Sequence, residues 1–146
     1  MDIIPVSIAL AQAANESGWG TSRFALEGNA LFGQWTWSDK GISPKNQDPD
    51  ESHKILQFQI LKASVRAYKN NLNTHNAYRE FREARAKLRQ EEKKIIGLDL
   101  TKYLKNYAAI GEKYVLILED IIEKNSLTDF DKAEMLPTRL RTGVAL

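Results

Sequence analysis

The sequence predicts a mainly helical α+β domain with a small β-hairpin lobe. Three observations carry that expectation. An apolar run opens the chain, a short alternating aromatic segment follows a glycine-punctuated loop, and the remainder repeats apolar residues at helical spacing.

From Ile3 to Ala14 only Ser7 and Gln12 carry polar side chains, the pattern of a buried helix. Asp2 is the expected N-cap and Pro5 sits in the first turn, with the helix running to about Ser17. Gly18 suits the left-handed residue just past its end. Because the chain starts abruptly at a core helix, a piece of a longer protein is expected, with any export signal absent here. Residues 18–33 read as a loop with one helical turn near Ser22–Leu26. Gln34 to Ser38 alternates like a strand and points Trp35 and Trp37 to one face. Asp39 to Ser52 is rich in turn-formers and acids, and Lys54–Phe58 is the expected returning strand.

Ile60–Leu72 is the next expected helix, with Leu61, Val65, Tyr68 and Leu72 on one side. A basic helix over Asn76–Lys94 should turn Tyr78, Phe81 and Leu88 inward, and Gly97 should end it. Leu100, Tyr103 and Leu104 mark a shorter helix. The last, Glu112–Lys124, should bury Val115, Leu118, Ile121 and Ile122 and close at Asn125. These elements place one domain over residues 1–127 and a tail over 128–146, docked or loose, with Leu127, Phe130, Met135 and Leu136 as docking candidates.

A chain of 146 residues is long enough for one domain with a real core. The absence of cysteine excludes a disulfide framework and a thiolate metal site. No apolar run reaches the length of a membrane span. Net charge is +2, and the basic excess lies in residues 62–105, where Arg82, Arg85 and Arg89 share a narrow helical sector. A solvated face explains that sector better than attraction to an anionic polymer, so no nucleic-acid partner is expected. His53 and His75 lack metal-ligand spacing, and no phosphate-binding loop or nucleophile elbow occurs. Neither a metal nor a cofactor is expected, and a monomer is.

The one chemically pointed feature is Glu16. A buried helix delivers it at its C-terminal end, with Gln12 four residues earlier on the same face. Partial burial and the helix dipole both disfavour ionisation there, so its pKa should rise. A carboxyl kept protonated near neutral pH is what a glycosidase uses as general acid. The competing reading is an exposed or capping Glu at a helix end.

The surrounding words narrow the choice. Ala11-Gln12-Ala13-Ala14-Asn15-Glu16-Ser17-Gly18-Trp19-Gly20-Thr21-Ser22, followed by Gly28-Asn29-Ala30-Leu31-Phe32-Gly33, resembles the cell-wall β-N-acetylglucosaminidases of glycoside hydrolase family 73. Ser64-Val65-Arg66-Ala67-Tyr68, Asn71-Leu72-Asn73-Thr74-His75 and Tyr107-Ala108-Ala109 with Gly111-Glu112-Lys113-Tyr114 fit its Bax-like branch best. The resemblance runs from about Pro5 to Leu127.

That resemblance implies a lysozyme-like fold and hydrolysis of the β-1,4 bond after N-acetylglucosamine in peptidoglycan, in the cell envelope or periplasm. Glu16 matches the family's catalytic acid. A second carboxylate, with Glu51, Asp50 and Asp48 as candidates, would activate water. Alternatively the substrate's own acetamide attacks and Tyr107 orients it. Trp35 and Trp37 either stack on sugar rings or anchor the hairpin. Asn29, Phe32, Tyr114 and Gln12 complete the expected substrate-binding set, with loop or core packing as the competing role. Ala109 replaces a threonine and Ala30 an asparagine of the family pattern, which leaves Glu16 untouched. The alternative function is a peptidoglycan-binding or scaffold module that keeps the groove without turnover.

Overall fold

The computed structural model describes residues 1–39, 41–45 and 52–133. It is mainly helical with one small antiparallel sheet, the α+β class expected of a lysozyme-like domain. In chain order the helices are α1 (Val6–Ser17), α2 (Arg23–Gly28), α3 (Leu61–Thr74), α4 (Arg79–Gln90) and α5 (Glu112–Lys124). The strands β1 (Trp35–Thr36), β2 (Gly41–Ile42) and β3 (Lys54–Leu56) lie between α2 and α3, and 3-10 segments cover Asn76–Tyr78, Gly97–Tyr107 and Leu127–Lys132.

The core gathers around α1 and α5. Ile8 and Ala11 meet Leu118 and Ile122, and Leu100 and Leu104 fill in from the Gly97–Tyr107 segment. Gly97 passes so close to α1 that a Cβ there would lie 2.0 Å from Ser7 Oγ. No side chain fits at that contact, so glycine opens the 3-10 segment rather than ending the helix before it. That corrects the sequence expectation for Gly97, because α4 already stops at Gln90.

The start of α1 is a second correction. Pro5, not Asp2, holds the N-cap position, and no local side chain caps the helix. Asp131 does so from the other end of the chain. Its carboxylate accepts from the Ser7 amide at 2.8 Å, the Ser7 hydroxyl at 2.7 Å and the Gly97 amide at 2.8 Å. Free amides at a helix start need such an acceptor whatever its distance in sequence. Gly18 ends α1 in the left-handed conformation as its sequence position implies.

Asp2 instead holds arginines. Arg85 Nε lies 2.9 Å from its carboxylate and Arg89 Nη2 donates to it at 2.6 Å. Arg85 is 2% exposed, and its fork also reaches the Ile3 carbonyl and Asn73 Oδ1. Arg82 donates to the Leu72 and His75 carbonyls. The arginine sector therefore ties the N-terminus and the end of α3 to α4, and the expected solvated face is wrong at its centre. Sequence spacing cannot see the acceptors that make a buried arginine tolerable.

In the sheet β3 is central, and Ile55 pairs with Trp35 on one side and Ile42 on the other. The returning strand was legible; β2, inside the turn-rich segment, was not. On α3 the buried line is Ser64, Tyr68 and Leu72, whereas Leu61 and Val65 are about half exposed. The expected face is turned by part of a helical step because Ser64 packs inward, where its hydroxyl oxygen accepts from the Leu31 amide at 3.3 Å. Val115, Leu118 and Ile122 of α5 are buried as expected, and so is Tyr114.

Candidate active site

α1 carries Glu16 in its last turn. The helix end is closed around it: the Ser17 hydroxyl donates to the Ala13 carbonyl, and Trp19 N–H to that of Ala14. The carboxyl is neither sealed nor free. Its Oε1 accepts from the Tyr114 hydroxyl at 2.9 Å and from Asn15 Nδ2 at 3.1 Å. Burial raises the pKa of Glu16 above its ordinary value, and the bonds from Tyr114 and Asn15 oppose that rise.

Oε2 faces Gly33, where an added Cβ would lie 2.9 Å away. The next residue, Gln34, lines a groove of about 530 Å³ whose opposite wall is Asn70, Asn71, Thr74, His75 and Asn76. The Gln34 Oε1 atom is enclosed and has no hydrogen-bond partner among the described residues. A second cavity of about 460 Å³, between α4, the Gly97–Tyr107 segment and α5, shares none of these residues and includes Lys87, Asp99, Lys102 and Glu119. The uncharged groove is the one continuous in sequence with the wall of Glu16.

Behind Glu16 lies a cluster of phenols. Tyr107 stacks on Tyr114 with ring centres 5.6 Å apart, and Phe32 stacks on Tyr68 at 3.9 Å. The Tyr107 hydroxyl donates to the Phe32 carbonyl at 2.8 Å and so straps the loop that presents Gly33. Burial raises Tyr68, Tyr107, Tyr78 and Tyr114, so all four stay protonated at neutral pH.

Of the residues put forward from sequence, the structure brings Gln12, Tyr114, Tyr107 and Phe32 together around Glu16. Gln12, Tyr114 and Phe32 are interior, and they reach the groove side through Glu16 and the Phe32–Gly33 backbone rather than by their own surface. Asn29 closes α2 in a left-handed conformation and donates to the Phe58 carbonyl at 3.0 Å. Trp35 and Trp37 are 61% and 71% exposed, and Trp35 stacks on His53 at 4.4 Å. Asp48, Asp50 and Glu51 lie outside the described residues. Among the described residues no group of three His, Asp or Glu side chains converges as a metal site, and no helix is long and apolar enough to cross a membrane.

Gly33 and the stretch Asn71–His75 entered the sequence reading only as family words, and Gln34, Asn70 and Asn76 were given no site role there. Tyr68 was read only as a core position. Its partner Gln12 is 56 residues earlier, and no local pattern reports that contact.

A small sheet beside a helical core, with one partly buried carboxyl at the end of the first helix, is the layout of a lysozyme-like domain. The chain belongs to the Glucosaminidase family, described as mannosyl-glycoprotein endo-β-N-acetylglucosaminidase, whose model matches residues 1–127. It is also similar to Protein bax of Escherichia coli (strain K12), 40% identical over 114 residues. That match covers 78% of this chain and 40% of the relative's length. No solved structure matches the chain.

Proposed function

We propose that this chain hydrolyses the β-1,4 bond on the reducing side of N-acetylglucosamine in peptidoglycan, with Glu16 as general acid, in the cell envelope. The observation that carries the reading is Glu16 itself: a partly buried carboxyl whose pKa is raised, with Oε1 held by two donors and Oε2 facing Gly33, the residue before the groove-lining Gln34. A glycan strand is uncharged along its sugar rings and rich in hydroxyl and acetamido groups. The carboxamides of Gln34, Asn70, Asn71 and Asn76 match that chemistry. Exposed Trp35 and Trp37 offer flat faces to sugar rings farther along the sheet lobe.

In the reaction Glu16 gives its proton to the glycosidic oxygen as the C1–O bond breaks. The electron-poor C1 then takes either a water deprotonated by a second carboxylate or the substrate's own acetamido oxygen; in the second route a water deprotonated by Glu16 then displaces the acetamido oxygen from C1, which returns the proton to Glu16. The Tyr107 hydroxyl is held by the Phe32 carbonyl, so its support for the second route runs through the loop it straps.

Digestion of purified walls with reducing-end analysis tests the activity. Glu16→Gln should cut the rate by about 10²–10⁴-fold while leaving folding and wall binding intact. A folded variant that lyses walls at the parent rate overturns the assignment. Wall binding by a parent chain with no hydrolysis would establish the binding-module reading instead. Proton NMR of the first-formed product separates the routes: an α-anomer means inversion by water.

A further inference from the structure

A phenol has one proton to donate, and the Tyr114 hydroxyl has two neighbours. On one side is Glu16 Oε1 at 2.9 Å; on the other is the Gln12 amide at 2.8 Å. Which neighbour receives the proton depends on which end of the amide faces the phenol. Gln12 presents Nε2, a donor that cannot accept, so the Tyr114 proton must go to Glu16. The amide is in turn held by Tyr68, whose hydroxyl donates to Gln12 Oε1 at 2.7 Å. Gln12 and Tyr114 are fully enclosed and Tyr68 is 1% exposed. Each link is a direct bond between side chains, and these groups set the polarity of the chain.

The consequence falls on Glu16. Its Oε1 receives two donors, Tyr114 and Asn15, and an oxygen receiving hydrogen bonds is the carbonyl oxygen of a protonated carboxyl. The acid proton then resides on Oε2, the atom that faces Gly33.

We propose that Gln12 and Tyr68 are positioning residues that fix the direction of a hydrogen-bond chain, Tyr68 to Gln12 to Tyr114 to Glu16, and thereby place the reacting proton on Glu16 Oε2. The proposal rests on Glu16 acting as the acid, and it adds how that acid is aimed. Tyr68 acts three hydrogen bonds away from the carboxyl it orients. The titratable groups facing Glu16 are phenols from every packed element: Tyr114 on α5, and Tyr107 and Tyr78 on the 3-10 segments. All are held protonated by burial, so none adds a charge that changes near neutral pH.

The test uses the full chain with Tyr114→Phe, Tyr68→Phe and the double variant Tyr68→Phe with Gln12→Leu, reading the Glu16 titration by ¹³C NMR of its labelled carboxyl. A donor to a carboxylate favours ionisation, so losing it moves the titration to higher pH. Tyr114→Phe removes the donor and should do so. Tyr68→Phe keeps the ring stacked on Phe32 but frees the amide, and Gln12 Oε1 then competes for the Tyr114 proton. Its titration should move the same way, and the alkaline limb of the kcat/KM profile with it, with KM unchanged. In the double variant Tyr68→Phe with Gln12→Leu no amide oxygen competes, so the titration should return to the parent value, which shows that Gln12 carries the effect of Tyr68. A Tyr68→Phe variant with lowered Tm and an unmoved Glu16 titration reduces the chain to packing and overturns the proposal. Because the NMR reading needs no turnover, it stays separate from the activity test: full activity of Glu16→Gln defeats the functional reading, whereas an unmoved titration in Tyr68→Phe defeats only the relay.

Discussion

At Gly33 the backbone turns with φ near +57°, beside Glu16 Oε2. Both facts exclude a larger residue for separate reasons. A left-handed φ strains any β-carbon, costing about 1 kcal/mol, and a Cβ 2.9 Å from Oε2 must displace the carboxyl. Gly33→Ala is therefore expected to lose about 1–2 kcal/mol of stability and to lose activity out of proportion to it. Denaturant titration beside wall-lysis rates checks this. If the rate follows only the folded fraction, the contact with Oε2 is not part of the site. The expectation that Glu16 is held by its surroundings was legible from the apolar run before it. The surroundings themselves were not, because Gly33, Tyr107 and Tyr114 approach it from separate stretches.

Among the elements α1 shows most clearly how local and distant contacts divide the work. Its apolar residues specify a buried helix without help. Its first turn, with Pro5 in the cap position, has no capping side chain of its own. Asp131 supplies the acceptor and at the same time binds Gly97, joining α1 to two 3-10 segments. Capping side chains contribute about 0.5–2 kcal/mol, so Asp131→Ala should destabilise the domain by about 2 kcal/mol. Denaturation midpoints give the value, and a variant as stable as the parent would remove Asp131 from the helix start. The sequence division that began a tail at residue 128 is notable here, since Asp131 and the buried Leu127 dock this stretch on α1. No local pattern marks Asp131 as a cap, because the Ser7 amide that it holds is 124 residues away.

The fold as a whole is fastened at its N-terminus by Asp2, with Arg85 and Arg89 on α4. The hydrogen bond from Arg89 and the nearby positive charges lower the Asp2 pKa from 3.8 to about 2. A carboxylate lowered on folding stabilises the native state above its unfolded pKa. That stability is lost as pH falls through 3.8 toward 2. Asp2→Asn should thus cost about 1 kcal/mol at neutral pH, since solvent reaches this pair and screens it. The cost should fade as pH falls from about 4 to about 2. Thermal melts of both proteins across that window test it. A difference independent of pH would mean that the side chain acts by packing rather than by charge.

The sequence by itself determined the fold class, the buried helix that ends at Glu16, the inward face of α5 and the pairing of the Trp35 strand with Lys54–Leu56. These follow from periodicity and turn chemistry, which act over a few residues. The tertiary structure decided which polar side chains meet. It turned the α3 face toward Ser64, buried Arg85, capped α1 from Asp131 and aligned Tyr68, Gln12 and Tyr114 behind one carboxyl. A hydrogen bond depends on atoms within about 3 Å of each other, and only the packed chain brings residues 12, 68 and 114 to that distance.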